Sequence, residues 1–503
     1  KTISWSATQS GSVLRHPDWR RSDGVGVSRR IGFVVMTITS IRDAAAKIRR
    51  GESTSRQIVE QALKASDELD PALGTYITRF DESALEAADR ADRELQAGTD
   101  RGPLHGIPLG IKDIISTDEG PTSGQSLAQD PSWGDQGDGP LIQRLREAGA
   151  VFTGKTTTME YAIGFPDFDK PFPIPRNPWN AERWTGGSSS GTANGIASGQ
   201  FLGGLGTDTG GSVRLPAAYC GITGFKQTFG LVPKSGCIPL GLSYDHIGPM
   251  ATSVWDCAAM LNVMAGHHPS DRTTVTRPPV DYVEVLDGAL DGVRVGVITN
   301  HSLVEASSAQ MMAVFDDAVG DLESLGVEIT DFEVPLYEAL HDGAFLALQA
   351  EAFSWHRNQL RERWLDYGRP TRLTIAKGAL ISAGDLVQIE RVREIARKKL
   401  ANRMQELGVD LLVSPTTGYA ATPFTGADKK ATSLAAMHTP PWNSTGSPAL
   451  SVPMGFDQDD LPCGMQIIGK PFCDDLVLRL GHHYQQRTNW HTLTPPMHVQ
   501  STI

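Results

Sequence analysis

The segment GQFLGGLGTDTGGSVRLPAAYCG, residues 199–221, has the make-up of a nucleophile site. An apolar run ends at Asp208 and a tight turn, Thr209-Gly210-Gly211, follows. Ser212 then opens a segment whose Arg214, Pro216 and Ala217 suit a first helical turn. Glycine permits close backbone approach and positive φ. Successive amides on such a turn aim several N–H groups at one point, where an oxyanion could sit. By itself the turn also reads as a phosphate nest or a plain turn. A serine hydroxyl is a weak nucleophile and needs a base. Lys112, in HGIPLGIKDII, is one candidate: Ile107, Leu109 and Ile111 share one strand face, so Lys112 points to the other. Burial there lowers an amine's pKa and makes its neutral form accessible. The competing reading makes Lys112 the guard of an edge strand. His246 in SYDHIGPM is the other candidate base, but adjacent Asp245 cannot orient it, because neighbouring side chains point apart.

Other motifs suggest different chemistry. TGGSSSG, residues 185–191, contains G-x-S-x-G with Ser189 as nucleophile, the pattern of a nucleophile elbow. An elbow needs a strand immediately before it, and RNPWNAERW, with its proline and no apolar alternation, reads as none. GAVFTGKT, residues 149–156, matches the P-loop of an NTPase literally. A P-loop follows a strand, whereas here the middle of the motif itself reads as strand, with Lys155 at its rim. His482, His483 and His491 read as a solvated helix face rather than a metal site, because no fourth ligand is evident.

Periodicity indicates the elements that must position these groups. Residues 40–95 are patterned as helices, with capping-box spacing at Ser40/Asp43 and Thr54/Gln57 and a further helix over 82–98. From residue 106 onward, short apolar segments bounded by glycine read as buried strands: GIPLGIKDII, AGAVFTGKT, GQFLGGLGTD, VRVGVITN, VDLLVSP, SPALSVPMGF and CGMQIIGK. A helix near 140–148 and a long helical region over about 305–407 separate some of them. Strands alternating with helices imply an α/β layered fold with a parallel or mixed central sheet. The chain has 503 residues and a net charge of −12, which argues against nucleic acid as a partner of the folded body. Five cysteines without a CxxC pair suit reduced thiols in a cytoplasmic protein, and no apolar run approaches a membrane span. Residues 1–35 carry six basic and two acidic side chains, leaving −16 for the rest. They read as a disordered extension or upstream read-through, with Met36 as a natural start and 36–503 as a single domain.

Lys112 in GIPLGIKD, Ser188 in GGSSSG and Ser212 in DTGGSVR, with Ser212 24 positions after Ser188, together resemble the amidase signature family. RLREAGAVFTGKT, RNPW, PAAYCGITGFK, DHIGPM and the late NSTGSPALSVPMGF extend the resemblance over roughly residues 40–490. One departure is Gln227, where the family usually has proline. The resemblance implies a mixed central β-sheet covered by helices on both faces, with N-terminal helices and a helical insertion. It implies a triad in which Ser212 is the nucleophile, Ser188 the bridging serine after a cis peptide bond, and Lys112 the base. It places the oxyanion on the amides of Thr209, Gly210, Gly211 and Ser212, with Ser189, Asp208 and Arg214 in support, and calls for no metal or organic cofactor.

The expected partner is a small-molecule amide, ester or carbamate, with no nucleic acid or membrane involved and a homodimer compatible with the family. The variable segments near 126–135, 160–176, 305–390 and 416–445 hold Trp133, Tyr161, Phe165, Phe168, Phe172, Phe345, Trp355, Tyr419 and Trp442, which favour an apolar or aryl substrate. GFPDFDKPFPIPRNPW resembles stand-alone amidases of broad specificity, including those with aryl amidase, esterase or urethanase activity. The alternatives are the subunit of an amidotransferase that makes amidated tRNA, and, from other classes, an NTPase built on GAVFTGKT or a catalytically inactive scaffold. A serine-reactive phosphonate is expected to label Ser212, read by peptide mass spectrometry; a label on Ser189, or none, would overturn the assignment.

Overall fold

The computed structural model describes residues 40–135, 137–426 and 429–496. The extension expected over residues 1–35 lies outside them. The described residues all belong to one unit by their packing.

The strands are β1 (Tyr76–Arg79), β2 (Pro108–Lys112), β3 (Val151–Thr156), β4 (Arg176–Asn177), β5 (Asn180–Trp184), β6 (Gly203–Thr207), β7 (Thr223–Lys226), β8 (Ile247–Ala251), β9 (Arg294–Ile298), β10 (Glu328–Phe332), β11 (Leu411–Pro415), β12 (Ala449–Phe456) and β13 (Pro462–Gly469). Eleven of them form one sheet in the order β1-β3-β2-β6-β8-β7-β12-β13-β11-β9-β10, and β4 and β5 pair separately. β2 runs parallel to both β3 and β6, and β9 runs parallel to both β10 and β11. The strands between these two groups pair antiparallel. The sheet is therefore mixed. Every residue of β2, β3, β6, β7, β8, β11 and β13 is buried. That is why β2, β3, β6, β11 and β13 read as glycine-bounded apolar runs without alternation, whereas the short TGFK and IGPMA of β7 and β8 carry no such mark.

The N-terminal helices form where their caps dictate. Ser40 accepts the Asp43 amide at the start of helix Ile41–Arg49. Thr54 and Gln57 close a reciprocal capping box on helix Ser55–Leu73, which ends at left-handed Gly74. Ile58, Val59, Ala62, Leu63 and Ala65 form its buried face.

Two helical expectations are corrected. β1 interrupts the stretch 40–95, and β10 interrupts the stretch 305–407. Both are edge strands of four or five residues with helices on either side in sequence, so no run of alternation marks them. Helices Tyr337–Glu362, Arg369–Ala376 and Ala383–Glu406 make up the helical part proper. Among the described residues no helix is long and apolar enough to cross a membrane.

Lys155 does not sit at a strand rim. It is fully buried, donates to Ile115 O and to Thr122 Oγ1 at 2.6 Å, and lies 3.6 Å from the equally buried Asp113 carboxylate. Asp113 in turn accepts from Ser123 and Gln125. This ion pair anchors the chain directly after Lys112. Removing one member leaves an uncompensated buried charge, a loss of roughly 3–5 kcal/mol. Asp113→Ala is therefore expected to lower the urea midpoint markedly, and adding Lys155→Met should recover part of the loss.

Candidate active site

Lys112 ends β2, an interior strand between β3 and β6, so it guards no sheet edge. The side chain is fully buried. Its Nζ lies 2.7 Å from Ser188 Oγ, 3.0 Å from Ser189 Oγ and 2.8 Å from Thr207 Oγ1. Burial pulls its pKa down to about 7, against the raising influence of Cys237, Asp208 and Asp245. Hydroxyl protons follow from the remaining contacts. Ser189 Oγ donates to Thr207 O at 3.2 Å and accepts the Thr207 amide at 3.1 Å. It therefore has no proton left for the lysine and must accept from it. Ser188 carries no such commitment, so its hydroxyl can donate to a neutral Lys112 amine.

The serines stand where β5 leads into helix Ser190–Ala197, and the Gly187–Ser188 peptide bond is cis. β5 is a strand immediately before TGGSSSG, which corrects the reason given for discounting an elbow. It is hidden in the sequence because NAERW is polar and half of a short ribbon. Ser189, the elbow's nucleophile, is fully buried and hydrogen-bonded to β6. Gly206 of β6 must be glycine for this: a Cβ there would lie 2.7 Å from Ser189 Oγ. Ser190 Oγ donates to Gly186 O.

The second serine segment approaches through its backbone. The Ser189 N–H donates to Ser212 O at 3.2 Å. Ser212 is half-buried, unlike Ser188 and Lys112. No hydrogen bond joins the Ser188 and Ser212 hydroxyls among the described residues.

Asp208 and Arg214 organise the turn between β6 and helix Arg214–Cys220. Both are fully buried, with Nη2 to Oδ1 at 2.9 Å and Nε to Oδ2 at 3.0 Å. Burial opposes the Asp208 charge, but Arg214 overcomes it and holds the carboxyl far below its usual range. Asp208 also accepts the amides of Gly211 at 2.8 Å and Val213 at 3.2 Å. The Gly211 amide is thus directed at a carboxylate, a correction to its expected place among the oxyanion donors. The amides of Thr209, Gly210 and Ser212 have no acceptor among the described residues.

Several residues of this centre carry no local signal in the sequence. Thr207 touches Lys112 from the end of β6. Arg214 reaches Thr439 O at 2.9 Å, Asn443 Oδ1 at 2.7 Å and Gln466 Oε1 at 3.2 Å, all more than 220 residues away in sequence. His246 is no base for Ser212: Nδ1 meets Tyr244 O at 2.7 Å and Asp208 O at 3.1 Å, and Nε2 lies 3.4 Å from buried Lys226. His482 is buried rather than solvated, beside Gln486 and Asp287. Among the described residues no cluster could hold a metal ion.

Of the expected pocket aromatics, Trp442 and Tyr161 are buried in the interior. Phe165 and Phe168 are 47% and 59% exposed. Phe165 lies 5.5 Å, centroid to centroid, from Trp184, and Phe168 lies 5.6 Å from Phe424. Trp184, with Met159, packs against Gly187, so this aromatic wall borders the cis peptide.

Comparison with known proteins identifies the family. The family model described as Amidase matches residues 57–478. A glutamyl-tRNA(Gln) amidotransferase subunit of Roseiflexus sp. (strain RS-1) is 36% identical over 92% of this chain and 99% of its own. The native peptide amidase of Stenotrophomonas maltophilia superposes with a TM-score of 0.80 at 28% identity, covering 93% of this chain and all of the other. A protein from a complex described as revealing the evolutionary origins of an s-triazine catabolic enzyme gives a TM-score of 0.83 at 29% identity, over 89% and 98% of the two chains. Over most of its length, therefore, this chain belongs to the amidase signature family of enzymes acting on carbon–nitrogen bonds.

Proposed function

We propose that the protein hydrolyses amide bonds through an acyl-enzyme on Ser212. The observation that carries this reading is the buried Lys112 amine, poised near neutrality 2.7 Å from Ser188 Oγ. Neutral Lys112 takes the Ser188 proton as Ser188 takes that of Ser212. The Ser212 oxygen adds to the amide carbon, and the oxyanion faces the free amides of Thr209, Gly210 and Ser212. The proton passes back to the amide nitrogen, the carbon–nitrogen bond breaks and the amine leaves. Water then adds to the ester, with Lys112 again accepting a proton through Ser188, and the acid departs. The Ser212 hydroxyl must close onto Ser188 for this relay, and catalytic hydrogen bonds that are long without substrate commonly tighten when it binds. Ser189, Asp208 and Arg214 support the two serine segments.

The wall of Trp184, Phe165, Phe168 and Phe424 supports an apolar or aryl amide, ester or carbamate as substrate. A second reading has its own support. The glutamyl-tRNA(Gln) amidotransferase subunits align with this chain over nearly their whole length, and sequence similarity favours that role. In it the same cleavage would release ammonia from an amide donor for partner subunits.

The two readings separate by assay. The purified chain alone is expected to turn over 4-nitroacetanilide or an aryl carbamate; activity confined to glutamine with ATP and added partner subunits would establish the second reading instead. Ser212→Ala should abolish turnover in either case. Because the active base is the deprotonated lysine, kcat/KM is expected to fall as pH drops through about 7 and to level off above it. Lys112→Ala should lose about 10²–10⁴-fold, the typical contribution of a positioned base, and with it this pH dependence.

A further inference from the structure

The segment that carries the aromatic wall has almost no regular structure of its own. Between Gly164 and Pro175 there is neither helix nor strand, yet it presents Phe165 and Phe168 to solvent, Phe165 against the Trp184 that packs on Gly187 and Phe168 against Phe424. Exposed phenylalanines on an irregular loop keep a defined place only if the loop is tied down. Its ties run to the helical part of the chain. Glu160, just before the loop, accepts the Gly368 amide at 2.7 Å through Oε2 and the Ser126 hydroxyl at 2.5 Å through Oε1. Asp167, within the loop, accepts the Arg369 amide at 2.8 Å. Gly368 and Arg369 open helix Arg369–Ala376, whose first amides lack intrahelical partners. Each carboxylate thus caps one orphan donor, with the helix dipole in its favour. Thr371 Oγ1 adds a bond to Ile163 O at 3.2 Å, and Lys170 Nζ one to Leu365 O at 2.8 Å.

A side chain at residue 368 would crowd both carboxylates and press them off the helix amides. A Cβ on Gly368 would lie 2.9 Å from Glu160 Oε2 and 3.0 Å from Asp167 Oδ2. Glycine is needed here for close approach of the backbone to both carboxylates, since its φ of −58° is open to any residue. The other end of the same run touches the catalytic centre. The Met159 N–H donates to Ser188 O at 3.2 Å, and Tyr161 and Ala162 hold left-handed φ values of 50° and 63°. Two successive non-glycine residues in that region persist only where the surroundings impose them. The Tyr161 ring is held against His356 and Tyr367 of the helical part.

We propose that Glu160 and Asp167, by closing on the Gly368 and Arg369 amides, set the Phe165–Trp184 wall and so select substrates with an aryl or bulky apolar group. They are positioning residues that act through the loop, and they do not take part in bond cleavage. The proposal rests on the amide-hydrolase reading above. It requires the wall to grip only the part of the substrate remote from the reacting carbonyl, so a small aliphatic amide should not sense the junction.

The test compares 4-nitroacetanilide with propionamide on the full chain. Asp167→Ala and Gly368→Ala are each expected to raise KM for the anilide about tenfold with kcat nearly unchanged, and to leave kcat/KM for propionamide within about twofold. Asp167→Asn keeps an acceptor oxygen and should retain most of the anilide affinity. Thermal melting identifies any variant that fails to fold, and the other alanine variant, which disturbs the junction from its opposite side, then keeps a readout available. Parallel loss on both substrates would reduce the junction to a structural role and overturn the proposal, as would an unchanged anilide KM in both variants. A wild-type chain that turns over propionamide but not the anilide overturns the aryl preference alone. One that cleaves neither amide overturns the hydrolase reading beneath it.

Discussion

A lysine amine sealed from water at the end of an interior strand is the constraint around which the centre is built. Solvation would keep Lys112 charged, whereas burial makes its charged and neutral forms nearly equal in free energy at neutral pH. Burial without partners would be unfavourable. The three hydroxyls of Ser188, Ser189 and Thr207 satisfy either form: three acceptors for an ammonium, or two acceptors and one donor for an amine. Two come from the residues just before helix Ser190–Ala197 and the third from the end of β6, so β2, β6 and the start of that helix have to meet within hydrogen-bonding distance. The glycines of β6 are what allow that approach.

The second organising pair is Asp208 with Arg214, and it works in the opposite electrostatic sense. Both members stay charged in the interior because each neutralises the other and the remaining lone pairs and protons are satisfied. The carboxylate shapes the turn after β6 by gathering the Gly211 and Val213 amides, and the guanidinium carries that shape outward to Thr439, Asn443 and Gln466. One buried group is thus left with its charged and neutral forms in balance, while a neighbouring pair is held as ions. The difference lies in whether a counter-charge stands within contact distance.

What can be read in the sequence depends on range. Glycine-bounded apolar runs mark β2, β3, β6, β11, β12 and β13, because strands buried on both faces have a distinctive composition, and β9 is marked by its valines although Arg294 and Val297 are only partly buried. β7 and β8 are equally buried but, as TGFK and IGPMA, form no such run. Caps mark the first helices, because they are local chemistry within three residues. β1 and β10 carry no such mark as short edge strands among helices, and polar β5 reads as loop. Lys112, Ser188, Ser189 and Ser212 stand out through residue type and spacing, and the structure brings the first three into contact. The direction of the Gly211 amide toward Asp208 depends on the path of a single turn. Thr207, Thr439, Asn443 and Gln466 depend on tertiary contacts. Trp184 emerges only because the fold lays β5 against the cis peptide. The burial of Lys155 and His482 likewise depends on what packs over them.

The reach of Arg214 also bears on how the protein comes into being. Lys112, the serines and the glycine turn all lie within the first 214 residues, but the groups that receive the guanidinium do not appear until residues 439–466. During synthesis the nascent chain carries Lys112 and both serine segments long before it carries the groups that brace the turn. The β12 and β13 strands that complete the sheet beside β7 arrive equally late. The shape of the glycine turn is therefore settled only when residues 439–466 have folded back onto Arg214, so the turn is among the last parts of the molecule to take its final form.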